Sequence, residues 1–179
     1  MINAEEIIHR YCADNTELEA LLLKHSRDVA RKALQIADRH PELSLDKTFL
    51  QEAALLHDIG ITRVNAPGIH CYGKEPYIRH GLEGGEILRQ EGLPKHARVA
   101  ERHTGTGITR KAIEDQALPL PPADYVPETL EEQVICYADK FFSKSHPEHE
   151  KSFEEAIHSL WKFGPECAEK MNEWKKKFE

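Results

Sequence analysis

Six residues with the right chemistry to hold a metal ion, His25, His57, Asp58, His80, His103 and Asp139, are scattered over more than a hundred positions. Most of them interrupt what would otherwise be an apolar helical stripe. At the centre lies Ala53-Ala54-Leu55-Leu56-His57-Asp58-Ile59-Gly60, where a run of helix formers delivers an imidazole and a carboxylate side by side before a glycine. Burying both groups without partners would be costly. A divalent cation satisfies both together, because imidazole nitrogen and carboxylate oxygen each reach such an ion at about 2 Å.

The spacing of these residues says which way they point. His25 falls four positions after Leu21 and four before Val29, on the face shared by Leu18, Leu22 and Ile36. His57 follows Ala53 by four and Leu50 by seven, His103 follows Val99 by four, and Asp139 follows Ile135 by four. His80 carries the weakest signal, since only Gly84 and Ile87 share its face. A single inward histidine is more often an ordinary core residue than a ligand. Several of them together with two inward aspartates, which are rarely buried unless paired, favour a metal centre.

The elements needed to position these groups read as helices. Asn3 caps a short helix over 3–13, and Thr16-Glu17-Leu18-Glu19 has the form of a capping box opening a long helix over 16–40, stopped by Pro41. Asp46 starts a third helix ending at Gly60. The stretch 61–78 has Pro67, Gly68, Gly73 and Pro76 without helical periodicity, so it reads as a loop forming one wall or lid of the site. Helices resume over 79–91 and 95–103, a short one starts at Thr109, and Leu118 to Pro127 reads as an extended connector. Thr129 caps the helix carrying Asp139, and two amphipathic helices over about 150–163 and 165–178 close the chain. Trp161, Phe163, Met171, Trp174 and Phe178 read as packing residues there, with any exposed stripe available for a homodimer contact. No repeat, heptad or strand-like alternation is visible, and the expectation is an all-α fold.

The chain has 179 residues, 40% of them hydrophobic, which suits a single domain with one core around a cleft. No window reaches the length of a membrane span and the first thirty residues are acidic throughout, so a soluble cytoplasmic protein is expected. Four separated cysteines without a C-x-x-C pair suggest neither a disulfide framework nor a thiolate zinc site. The net charge of −7 disfavours long nucleic acids, whose binding depends on neutralising many phosphates. Small anions remain compatible, because Arg63, Arg79, Arg110, Lys111, Lys140 and Lys144 lie close in sequence to the metal-type residues.

With the order His25, His57-Asp58, His80, His103 and Asp139, the chain resembles the HD-domain metal-dependent phosphohydrolase superfamily, and Leu55-Leu56-His57-Asp58-Ile59-Gly60 looks like its signature. The resemblance covers about residues 16–145 and implies an HD-domain helical bundle with long connecting loops, followed by a C-terminal helical extension over about 150–178. By similarity, His25, His57, Asp58 and Asp139 would hold one divalent ion of iron, manganese or another transition metal. His80 and His103 match members with two ions, Asp58 bridging them. Within the superfamily, His103-Thr104-Gly105-Thr106-Gly107 and Tyr137-Ala138-Asp139-Lys140 look most like the small diadenosine-tetraphosphate hydrolases. Thr104 follows His103 and Lys74 follows Gly73, unlike the cyclic-di-GMP phosphodiesterase branch. Ile61-Thr62-Arg63-Val64 stands where the ppGpp hydrolase and deoxynucleotide triphosphohydrolase branches have a Glu-Asp pair.

The resemblance implies hydrolysis of a small phosphorylated substrate, a nucleotide by preference, by a metal-activated water, with two ions about 3.5 to 4 Å apart able to activate it and grip the phosphate together. Asp58 is the expected catalytic residue. Arg63, Lys140 and Arg110 are the candidates for phosphate oxygens, although Lys140, adjacent to Asp139 on a helix, should project about 100 degrees from it. The same ligand set also occurs in mixed-valence di-iron oxygenases, and ligand type alone does not separate the two. A noncatalytic HD-like signalling or binding module is the third reading, though such modules tend to lose ligands.

Overall fold

The computed structural model describes residues 2–179. Helices dominate: α1 (Ala4–Cys12), α2 (Thr16–Arg39), α3 (Lys47–Leu56), α4 (His80–Gln90), α5 (Pro94–Glu101), α6 (Arg110–Gln116), α7 (Leu130–Asp139), α8 (Phe153–Ser159) and α9 (Pro165–Phe178). Among the described residues the only sheets are two antiparallel pairs, β1 (Asn65–Ala66) with β2 (Cys71–Tyr72) and β3 (Phe142–Ser143) with β4 (His146–Glu150). The fold is all-α, as the periodicity predicts. No helix of the described residues is long and apolar enough to cross a membrane.

Local chemistry explains most boundaries. Asn3, Asp46, Thr109, Thr129 and Ser152 each accept a backbone N–H from the first turn of their helix, and Thr129 with Glu132 completes a capping box. The second helix differs from expectation: Asn15, not Thr16, is its cap, accepting the Leu18 N–H at 3.1 Å, while Glu19 pairs with His9. The third helix ends at Leu56 rather than Gly60, and a 3-10 segment, Ile59–Arg63, follows. The helix expected over 95–103 stops at Glu101, leaving His103 just beyond it. The region 150–163 is likewise less helical than its pattern suggests, because β4 takes up to Glu150 and a 3-10 turn takes Trp161–Phe163. Both pairs escaped the sequence reading because each has a strand of only two residues, and β4 is largely exposed and shows no alternation.

Two apolar clusters make the core. One joins α2, α3, α7, α8 and α9 around Val29, Leu50, Ile135, Tyr137, Met171 and Phe178. The other joins α1, the start of α2, the end of α3, α4 and α5 around Ile8, Leu22, Leu56, Ile59, Ile87 and Ala100. Met171, Trp174 and Phe178 pack as expected, but Trp161 does not: it is 61% exposed, because the 3-10 turn carrying it lies outside the α8 stripe. All four cysteines are buried and free.

The seam between the two clusters is where the ligand-type residues fall. His25 stands between Leu22 of one cluster and Val29 of the other, and His57 follows Ala54 of the first and Leu56 of the second. Close backbone approach brings α4 and α5 to the same place. A methyl group on Gly60 would collide with the His80 carbonyl oxygen and the Gly84 nitrogen, and one on Gly81 would press on the Ala100 carbonyl. The turn after α3, the start of α4 and the end of α5 are thereby held in backbone contact.

Candidate metal centre

His25 comes from α2, His57 and Asp58 from the turn that ends α3, His80 from the first residue of α4, His103 from just beyond α5, and Asp139 from the last residue of α7. All six are buried, with His57 and Asp58 fully enclosed. One ligand atom from each of His25, His57, Asp58 and Asp139 lies within 4.8 Å of all the others, and Asp58, His80 and His103 form a second group by the same measure. Asp58 belongs to both.

Its two oxygens divide the work. Oδ2 lies 3.1 Å from His25 Nε2 and 3.2 Å from His57 Nε2, whereas Oδ1 lies 3.2 Å from His103 Nε2 and 3.5 Å from His80 Nε2. Asp139 Oδ1 completes the first group at 3.0 Å from His25 Nε2 and 3.4 Å from His57 Nε2.

The histidine tautomers suit these groups to a cation. His57, His80 and His103 each donate an Nδ1–H to the carbonyl three residues earlier, Ala54, Tyr77 and Ala100, at 2.6 to 2.7 Å. In the neutral form of each ring, Nε2 then carries a lone pair aimed inward. His80 and His103 direct those lone pairs at each other across 3.1 Å and at an acidic oxygen. Acceptors facing acceptors repel unless a cation lies among them. His57 Nε2 and Asp58 Oδ2 are buried without a hydrogen bond, the nearest cation to Asp58 Oδ2 being the Lys144 ammonium. The donor set, histidine nitrogen with carboxylate oxygen and no thiolate, suits iron, manganese, zinc and similar ions, and the backbone carbonyls behind the rings are the outer partners that fix such ligands.

The electrostatics of the two groups differ. Burial opposes charge on His57, but the Asp58 and Asp139 carboxylates outweigh it and push its pKa up to about 9. Burial, reinforced by the neighbouring His103, pushes His80 down to about 3, and burial likewise lowers His103. Burial alone would raise the two aspartates, yet Lys144 beside Asp58 and Lys140 beside Asp139 hold them well below the usual carboxylate range.

Two lysines from the chain that follows α7 reach down to the aspartates. Lys140 does not project away from Asp139 as an isolated helical position would. It caps α7 and turns back to donate to Asp139 Oδ2 at 2.6 Å and to the His103 carbonyl at 2.8 Å. Lys144 Nζ lies 2.7 Å from Asp58 Oδ2, without hydrogen-bond geometry, and donates to the Tyr77 hydroxyl at 3.2 Å. Sequence reasoning grouped Lys144 with the local cations but did not place it in the site, because it sits at the β3–β4 reversal, where no helical period orients it. Both lysines line a cavity of about 530 Å³ whose floor includes His80, His103 and Asp139. The residues 66–69 of the β1–β2 hairpin contribute to its wall, so the stretch 61–78 does border the site, and Lys151 and Lys162 line it too.

Arg63 and Arg110 are elsewhere. Arg63 is held by Glu83 at 3.2 Å and Glu86 at 3.3 Å, on the outer side of the 3-10 segment, and does not line the cavity. Arg110 is exposed at the start of α6 and pairs with Glu114 at 2.9 Å. Nearness in sequence to a ligand misleads here, because Glu83 and Glu86 hold Arg63 and Glu114 holds Arg110 away from the cavity.

Comparison with known proteins agrees with this geometry. The HD domain family model matches residues 22–143, a range that contains all six ligand-type residues and stops just before Lys144. The chain is 39% identical over 124 residues to a tRNA (cytidine(56)-2'-O)-methyltransferase of Picrophilus torridus and 33% identical over 139 residues to the protein of the same name from Thermoplasma volcanium. It spans only 32% and 35% of the length of these two relatives, against 69% and 77% of its own. It is 37% identical over 140 residues to an uncharacterised protein of Methanocaldococcus jannaschii, covering 76% of this chain and 71% of that one. Among solved structures, the HD domain of the L. monocytogenes phosphodiesterase PgpH superposes with a TM-score of 0.53 at 18% identity, over 91% of this chain and 83% of that one, a likeness of fold. With the family match spanning well over half of its length and the ligand order intact, the chain belongs to the HD-domain family.

Proposed function

We propose that this chain is a metal-dependent phosphohydrolase, cleaving a phosphoester or phosphoanhydride bond of a small nucleotide-type substrate. The observation that supports this most directly is the position of Asp58, with one oxygen towards His25 and His57 and the other towards His80 and His103. Two divalent cations, held by His25, His57, Asp58 and Asp139 and by Asp58, His80 and His103, would supply an activated water at neutral pH and stabilise charge on the phosphoryl oxygens.

The remaining roles belong to the chain itself. Asp58 orders both groups by sharing one carboxylate between them. The Nδ1 hydrogen bonds of His57, His80 and His103 hold their rings in the required tautomer. Lys140 and Lys144 present ammonium groups at the cavity floor, in reach of phosphate oxygens, and Lys151 and Lys162 add positive charge at the mouth. A cavity of about 530 Å³ suits a small ligand, and the net charge of −7 disfavours a long polyanion. The methylation named for two relatives belongs to proteins roughly twice as long, of which this chain matches about a third.

The test is metal stripping and reloading with manganese, iron or zinc, followed by assay of phosphate release from nucleotides and dinucleoside polyphosphates. Release that depends on the metal and vanishes in Asp58→Ala is the expected result. Oxygen uptake by the iron-loaded protein is followed in parallel, and uptake without phosphate release under any metal would replace the hydrolase with an oxygenase.

A further inference from the structure

A second chamber opens from the side of the metal centre. It has a volume of about 300 Å³ and shares Tyr77, His80, Thr104, Lys162 and Phe163 with the lysine-rich cavity. Its back is a small apolar cluster separate from the two that make the core, in which Ile78, Ala112 and Leu118 pack against Ile108 and Ile113. The two chambers therefore differ in kind: one ends on ammonium groups and imidazoles, the other on aliphatic side chains.

The seam between them is aromatic. The Tyr77 ring lies 4.6 Å from the His80 ring, tilted 30°, and its hydroxyl reaches back to Lys144 in the charged chamber. Phe163, on the 3-10 turn beyond the HD-matched range, also lines both chambers and stands where a side chain on Gly105 would meet it. Gln116 and Thr104 add polar groups at the edge of the apolar chamber. Flat faces with an amide at the margin suit a planar heterocycle rather than a flexible alkyl chain, because an aromatic wall stacks on any π face and the amide can pair with its ring heteroatoms.

We infer that this chamber is a nucleobase subsite, holding the base while the phosphate lies among Lys140, Lys144 and the metal centre, with Phe163 as its closing wall. This rests on the phosphohydrolase reading for the phosphate half and adds the residues that read the other half. Phe163 and Lys162 lie outside residues 22–143, so the C-terminal extension sets the base preference.

The experiment measures calorimetric binding of AMP, UMP and ribose 5-phosphate to the metal-stripped full chain, with phosphate release from the same compounds followed in the manganese-loaded protein. At least one nucleotide is expected to bind about tenfold more tightly than ribose 5-phosphate, the scale of one stacked base. Phe163→Ala and the chamber-filling Ala112→Phe are each expected to remove that preference, and Ala112→Phe, at a residue that does not line the lysine-rich cavity, should leave ribose 5-phosphate binding unchanged. Having one variant on each side of the chamber guards against a folding defect in either. Equal binding of all three compounds, no binding of any, or a preference that survives both substitutions would overturn the subsite. Phosphate release without base preference would sink the subsite and spare the hydrolase, whereas base-dependent binding without release under any metal would do the reverse.

Discussion

His25, His57 and Asp139 converge from helices that share the larger apolar cluster, and together with Asp58 they bring two carboxylates to two imidazoles. His80 and His103 instead converge because glycine lets backbone meet backbone, and they share one carboxylate, that of Asp58. The charge balance follows. Without a metal, the first group keeps a proton on His57, pushed up to about 9. The second is a neutral pair, with His80 pushed down to about 3, whose facing lone pairs no retained proton relieves. The comparison teaches that the first group can balance its carboxylates with a proton on His57, while the second has no such proton to displace.

The largest break in this comparison comes from removing what the halves share. Asp58→Ala is expected to abolish metal retention in both groups, whereas Asp139→Ala should empty only the first, as measured by metal content after gel filtration. Equal losses from the two variants would refute the division of Asp58 between groups. Next is Gly60→Ala, whose new methyl must push the start of α4 away from the turn carrying Asp58. It should lower unfolding free energy by about 1–3 kcal/mol in a denaturant titration and reduce two bound ions to one. Unchanged stability and stoichiometry would mean that the α4 contact does not position His80.

The smallest effect is in protons. A cation needs neutral His57, so filling the first group near pH 7.5 should release about one proton, while the second group, with His80 and His103 already neutral, should release none. Calorimetry in buffers of different ionisation enthalpy reads this directly, and equal release from both groups would erase the asymmetry. The metal-free chain carries the same signature in its stability. The native pKa of His57 lies above the unfolded value of about 6.5, so its contribution is full below that value and lost as pH rises through 9. The native pKa of His80 lies below, so its contribution is full above about 6.5 and lost as pH falls towards 3. These two contributions are therefore largest together near pH 6.5.

The legible part of the site was the part set by helical phase. His25 and Asp139 each lie on a helix with apolar neighbours at spacings of three and four, and that period alone turns them inward. His57 and His103 were read correctly as inward although each stands just past a helix end, because the last turn still fixes their direction. His80 gave little signal, since its partners are glycines, which carry no hydropathy pattern. Lys144 carries none, because it sits at a chain reversal, and Arg63 and Arg110 stand outside the cavity because acidic neighbours hold them elsewhere.

By itself, then, the order and spacing of residues determined an all-α chain with inward imidazoles and carboxylates, since a period of 3.6 residues dictates which side chains face a common core. Only the tertiary structure decided how those groups pair. The splitting of Asp58 between two sets, the return of Lys140 and Lys144 to the floor, and the closing of the apolar chamber by Phe163 depend on contacts between segments distant in sequence, and such contacts leave no periodic trace in the chain that makes them.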